Sequence, residues 1–103
     1  LRSDNDIYLD CWIDYSDAVL GSEVKVPTLS GNVKMKIPAG IDNGQLLRLK
    51  DKGISELNRH KTGDQYIRIN IYTPKKINNK IKGILEELKL NLGDDPKFKK
   101  FNN

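Results

Sequence analysis

The sequence predicts a mainly β fold: a small, predominantly antiparallel β-domain with one short helical turn, followed by an amphipathic C-terminal helix and a short terminal helix. Three observations carry this expectation. Apolar residues recur at every second position in several stretches, the period of a strand with one buried face. Glycine and proline cut the chain into short segments, most densely between Ala18 and Gly53. One stretch alone, Ile81 to Leu92, repeats its apolar residues at the three- and four-residue spacing of a helix face.

The elements follow in order. Ile7, Leu9, Cys11 and Ile13 alternate with Tyr8, Asp10 and Trp12, which makes a first strand with one apolar face. Ser16 is the expected cap of a single helical turn, Asp17 to Leu20, and Gly21 its left-handed stop. Val24 and Val26 begin a hairpin. Its reversal is expected over Leu29-Ser30-Gly31-Asn32, where Gly31 and Asn32 both tolerate positive φ. Val33, Met35 and Ile37 return it, and Pro38 and Gly40 end it. Gln45 to Lys50 reads as a further strand closed by Gly53, and Lys52 to Asp64 as a polar loop. Gln65 to Thr73 is the clearest strand, with Ile67, Ile69 and Ile71 on one face. In the tail, Asn78 or Asn79 caps the helix that carries Ile81, Ile84, Leu85, Leu88 and Leu92, and Gly93 stops it. Phe98 and Phe101, three apart, would share one side of a short final helix. The expected division is a β-domain over 1–76 and a helical segment over 77–103.

Composition narrows the function classes. At 103 residues, 37% hydrophobic and 31% charged, one thin, heavily solvated domain is expected. The net charge of +4 comes from 18 basic and 14 acidic residues mixed along the chain, which does not by itself indicate nucleic-acid binding. No apolar run approaches the ~20 residues that span a bilayer. The lone Cys11 cannot close an internal disulfide and suits a reducing compartment, so a cytoplasmic location without membrane attachment is expected. Because Leu1 rather than methionine stands first, a piece of a longer protein is expected.

Chemistry is sparse. His60 is the one histidine and Cys11 the one cysteine, too few donors for a metal site and no partner set for nucleophilic catalysis. Glu86-Glu87 and Asp94-Asp95 are sequence neighbours, suited to solvated or capping roles rather than to an acid–base dyad. Gly40, Gly44 and Gly53 lack the lysine-serine or lysine-threonine pair of a phosphate loop. No enzyme, metal or cofactor is expected. A basic stripe of Lys34, Lys36, Arg48 and Lys50 across neighbouring strands, with Tyr8, Trp12 or Tyr72 as stacking platforms, is the feature that would suit a nucleic acid; a solvated outer sheet face is the plainer reading.

The run LG…EV.VPTL.G.V..KIPAG…G…RL..KG, followed by GD.Y.R at Gly63 to Arg68, resembles the C-terminal client-binding region of the DnaJ co-chaperone family, and within it the second of two related β-domains. The similarity runs from about Asp6 to Leu92. It implies a binding module whose partners are a second copy of itself, unfolded polypeptide and, through parts missing from this chain, the 70-kDa heat-shock chaperone. If the family's client groove repeats here, it falls on Leu9 and Cys11 before Leu20-Gly21 and on Val24 and Val26 after it. The alternation of the strands makes the same four residues core. The resemblance also implies that the end of the chain joins two subunits, through Leu88, Leu92, Phe98 and Phe101. The family's histidine-proline-aspartate loop and CxxCxGxG zinc module are not in this sequence, and Trp12 replaces a smaller or polar residue, so it is expected to be partly exposed.

Overall fold

The computed structural model describes residues 5–56 and 61–101. The chain divides into two compact units, Leu1–Thr73 and Pro74–Asn103. The first unit contains β1 (Ile7–Ile13), α1 (Tyr15–Leu20), β2 (Ser22–Thr28), β3 (Gly31–Ile37), β4 (Leu46–Leu49), β5 (Ser55–Glu56), β6 (Lys61–Thr62) and β7 (Gln65–Ile71). The second holds α2 (Asn79–Leu92). The mainly β class is as expected.

Strand pairing sorts the first unit into a three-stranded sheet of order β1-β7-β4, the β2-β3 hairpin and the short β5-β6 pair. Among the described residues three of the four pairings are antiparallel. The fourth is parallel: β1 runs beside β7 from Ile7 opposite Gln65 to Ile13 opposite Ile71. Parallel neighbours need a long crossover, and here the hairpin, α1 and β4 all lie within it.

The core forms where the inner faces of the two larger sheets meet. Ile13, Ile67 and Ile69 come from one sheet, Val26, Met35 and Ile37 from the other, and Ala18 and Ile41 join them. The six strand residues each lie on the parity that the alternation assigned to the buried face. Leu9, Cys11, Val24, Leu47, Leu49 and Ile71 pack around this cluster, half-buried.

Local expectations in the first unit shift at three places, the caps of α1, the hairpin reversal and the segment expected as loop. Asp14, rather than Ser16, caps α1: its Oδ1 accepts the Asp17 N–H at 2.8 Å and the Ser16 hydroxyl at 2.7 Å. The helix therefore starts a residue pair earlier, and Ser16 lies inside it. Gly21 does end it, but with φ of 85° and ψ of 159° rather than in the expected left-handed helical conformation, and a Cβ there would sit 3.0 Å from the Ile37 carbonyl oxygen. The hairpin reverses over Leu29-Ser30 alone, with Thr28 opposite Gly31; Gly31 has φ of 105°, whereas Asn32 stays extended in β3. The segment expected as loop holds the β5-β6 pair, whose ladder Gly53 and Gly63 extend by the Gly53 N–H donating to the Gly63 carbonyl at 2.8 Å. His60 lies outside the described residues.

In the second unit, the Asn78 side chain accepts the Ile81 N–H at 2.8 Å and Gly93 closes α2 in the left-handed conformation, both as expected. The short terminal helix is not formed: residues 94–101 have no helical hydrogen-bonding pattern. Phe98 and Phe101 are 94% and 95% exposed there, so neither ring supplies the burial that stabilises so short a helix.

Candidate functional site

The four residues of the expected groove do not share one environment. Val26, on β2 opposite Val33, is 3% exposed and belongs to the core. Leu9, Cys11 and Val24 are half-buried against it. Burial pushes the Cys11 thiol above its ordinary pKa, which disfavours the reactive thiolate.

Leu9 also opens onto something the alternation could not show. An apolar depression of about 260 Å³ lies where β1 meets the hairpin end, lined by Ile7, Leu9, Pro27, Thr28, Leu29 and Gln65. Leu29, 72% exposed at the hairpin tip, forms part of its wall. Its floor includes a polar residue, Gln65, which is 1% exposed. Gln65 Nε2 donates to the Pro27 carbonyl at 2.8 Å and so ties β7 to β2 across the two sheets. The sequence flags Leu29 only as a turn residue and Gln65 only as a strand start. Pairing of β1 with β7 is what brings Gln65 beside Ile7.

The outward face of the β1-β7-β4 sheet has a different character. Tyr8 and Tyr66 stack with ring centroids 5.1 Å apart and planes at 12°. Next to them Asp10 accepts from Arg68 Nε at 2.6 Å, Arg68 Nη2 at 3.1 Å and Asn70 Nδ2 at 3.0 Å. The Arg68 and then the Asn70 hydrogen bonds hold the Asp10 carboxyl below the usual aspartate range. Trp12 is 63% exposed, in line with the expectation for it. The basic stripe does not form across neighbouring strands: Lys34 and Lys36 lie on the hairpin, whereas Arg48 lies on β4, which pairs with β7. Arg48 is moreover paired with Asp64 at 2.8 Å.

In the second unit none of the α2 residues is buried. Leu88 is half-buried, Leu92 is 52% exposed, and the two phenylalanines beyond are almost fully so. Among the described residues no helix is long and apolar enough to cross a membrane.

An apolar depression between strand β1 and a Gly- and Pro-punctuated hairpin is the setting in which the sequence comparisons become informative. The family model described as DnaJ C terminal domain matches residues 1–74. The chain belongs to the DnaJ C-terminal domain family. Its relatives include the Chaperone protein DnaJ of Clostridioides difficile (strain 630), 41% identical over 99 residues, which is 96% of this chain and 26% of that protein. That of Ruminiclostridium cellulolyticum is 44% identical over 94 residues, 91% of this chain and 25% of the relative. That of Staphylococcus epidermidis (strain ATCC 12228 / FDA PCI 1200) is 42% identical over 94 residues, with the same coverage of 91% and 25%. The chain thus spans about a quarter of the length of these DnaJ relatives. The alignments reach past residue 74 into the helical segment, since 99 matched residues cannot fit within the first 74.

Proposed function

We propose that this chain is a non-catalytic part of a DnaJ-type co-chaperone: the second C-terminal β-domain over 1–76, followed by a dimerisation segment over 77–103. In the parent protein it assists in holding unfolded polypeptide that is passed to the 70-kDa heat-shock chaperone, in the cytoplasm. The observation that carries the holding role is the open apolar depression at Leu9, Pro27 and Leu29 in a domain of this family. It is too shallow to bury more than one or two side chains of a client, so each site binds weakly. Pairing of two chains offsets this by raising the effective concentration of the second site for a long client. The exposed Phe98 and Phe101 rings support that pairing, because apolar rings left in water gain from a twofold contact.

The test is suppression of aggregation of a chemically denatured model protein by the intact chain and by Leu29→Asp. Leu29 is exposed, so the variant keeps the fold. Reduced suppression is expected. Undiminished suppression would remove the depression from the holding role, and a steep fall of binding with added salt would indicate a phosphate-bearing ligand instead.

A further inference from the structure

Asn43 and Gly44 form the one asparagine-glycine pair of the sequence, and the holding role makes no use of it. The pair lies exposed between β3 and β4. Gly44 has φ of 88°, and a Cβ built there would meet nothing within 4 Å, so backbone conformation rather than packing calls for glycine. That requirement carries a chemical liability. With no side chain on the residue after it, an asparagine amide is open to attack by the next backbone nitrogen with the least hindrance.

In the folded domain β7 occupies both reacting groups. The Gly44 N–H donates at 2.6 Å to the carbonyl of Ile69, a residue 0% exposed. Asn43 Oδ1 accepts the Ile71 N–H at 2.8 Å, which holds the side-chain amide on the end of β7. The Gly44 nitrogen attacks only after losing its proton, and here that proton is directed into the sheet, away from base in solvent. An unfolded chain has neither restraint.

We propose that Asn43 is a modification site gated by the fold: it is deamidated when the domain is unfolded and protected by β7 when it is folded. The deprotonated Gly44 nitrogen bonds to Asn43 Cγ, the Cγ–Nδ2 bond breaks and Nδ2 leaves as ammonia. Water then opens the cyclic imide at either carbonyl, giving aspartate or isoaspartate.

The two products differ in their effect on the fold. Aspartate keeps the backbone and still offers an oxygen to the Ile71 N–H. Isoaspartate routes the main chain through Cβ and Cγ and so inserts a methylene between two anchored points. On one side the Ile41 N–H donates to the Ala18 carbonyl at 3.2 Å; on the other Gly44 is bonded to Ile69. The lengthened link cannot keep both bonds at once, so chains that remain unfolded are progressively marked against refolding.

The experiment uses the full 103-residue chain and a synthetic peptide of residues 38–48, which reports the rate without a fold. Both are incubated in mildly alkaline buffer with and without urea, and conversion of Asn43 is read by peptide-mapping mass spectrometry. Isoaspartate is read by enzymatic methyl labelling. In the absence of urea the chain is expected to react at least about tenfold more slowly than the peptide, because conversion waits on opening of β7. In urea the two rates should converge. Equal rates without urea would overturn the gating, as would a Gly44 amide that exchanges hydrogen as fast in the chain as in the peptide. The isoaspartate form, separated from the urea-treated chain, should refold with a lowered melting temperature or not at all, whereas Asn43→Asp should melt close to the native chain. Native-like melting of the isoaspartate form, or an equal loss in Asn43→Asp, would overturn the effect assigned to the inserted methylene.

Discussion

Arg48 Nε lies 2.8 Å from one carboxylate oxygen of Asp64, while the other oxygen of Asp64 accepts the Asp51 backbone N–H at 2.8 Å. Asp64 therefore clamps β4 and the turn after it, where Asp51 takes a φ of 60°. Its own backbone is held as well: its N–H donates to Asp6 Oδ1 at 2.7 Å, and its carbonyl accepts from Ile7 at 2.9 Å. Asp64→Ala is expected to cost about 1–2 kcal/mol, because it removes the acceptor that holds the Asp51 N–H in a turn at positive φ together with the Arg48 partner. Arg48→Ala, removing a side chain 55% exposed, should cost about 0–1 kcal/mol. Urea denaturation of the two variants measures the contrast; equal losses would mean that the ion pair, and not the turn, matters.

Stability is expected to fall in acid through Asp10 and Asp14. The Arg68 hydrogen bond, then that of Asn70, lowers the Asp10 pKa; the Asp17 N–H, then the Ser16 hydroxyl, lowers that of Asp14. A carboxyl depressed in the folded state contributes fully above its unfolded pKa of about 3.9. That contribution is lost as pH falls through the lower folded value. Denaturation midpoints followed from pH 6 downward should drop below about pH 4, and Asp10→Asn with Asp14→Asn should flatten the drop. An unchanged acid limb in the double variant would assign it to other groups.

The cap of α1 separates Asp14 from Ser16 directly. Asp14→Ala removes the acceptor for the Asp17 N–H and is expected to destabilise by about 1 kcal/mol. Ser16→Ala removes a donor already inside the helix and should change stability by less than about 0.5 kcal/mol. Thermal unfolding of both proteins distinguishes the two caps, the reverse order restoring Ser16.

Val26 tests whether the shared groove-and-core positions act as one set. At 3% exposure its replacement by aspartate buries a charge with no partner, and Val26→Asp is expected to abolish folding as read by far-ultraviolet circular dichroism. A folded variant with reduced suppression of aggregation would place Val26 in the groove instead.

Sedimentation equilibrium tests the proposed pairing. The intact chain is expected to be a dimer, and Phe98→Ala/Phe101→Ala a folded monomer, since both rings are exposed and their loss leaves the β-domain intact. Two folded monomers would remove the phenylalanines from assembly.

Much of the fold is written in local patterns. Alternation marks Ile67, Ile69, Met35 and Ile37 as inward-facing because a strand turns its side chains through a half rotation at each step. Asn78 and Gly93 announce the ends of α2 because the chemistry of an orphan N–H and of a left-handed stop belongs to the residue itself. The family match over residues 1–74 is visible for the same reason, as ordered turns and strand residues at fixed separations.

The remainder depended on which segments became neighbours. A period of two says which face of β1 is buried but not that β1 lies parallel to β7, because strand pairing is a long-range choice made by the whole crossover. The same limit hid Gln65: only when β7 meets the hairpin does its amide find the Pro27 carbonyl. It also dispersed the lysines expected along one stripe, since β3 and β4 entered different sheets. The sequence by itself determined the longer strands, their buried faces, the ends of α2 and the family. Tertiary structure alone decided the parallel pairing, the Asp64 clamp and the depression, because each joins residues far apart in the chain whose meeting no local period encodes.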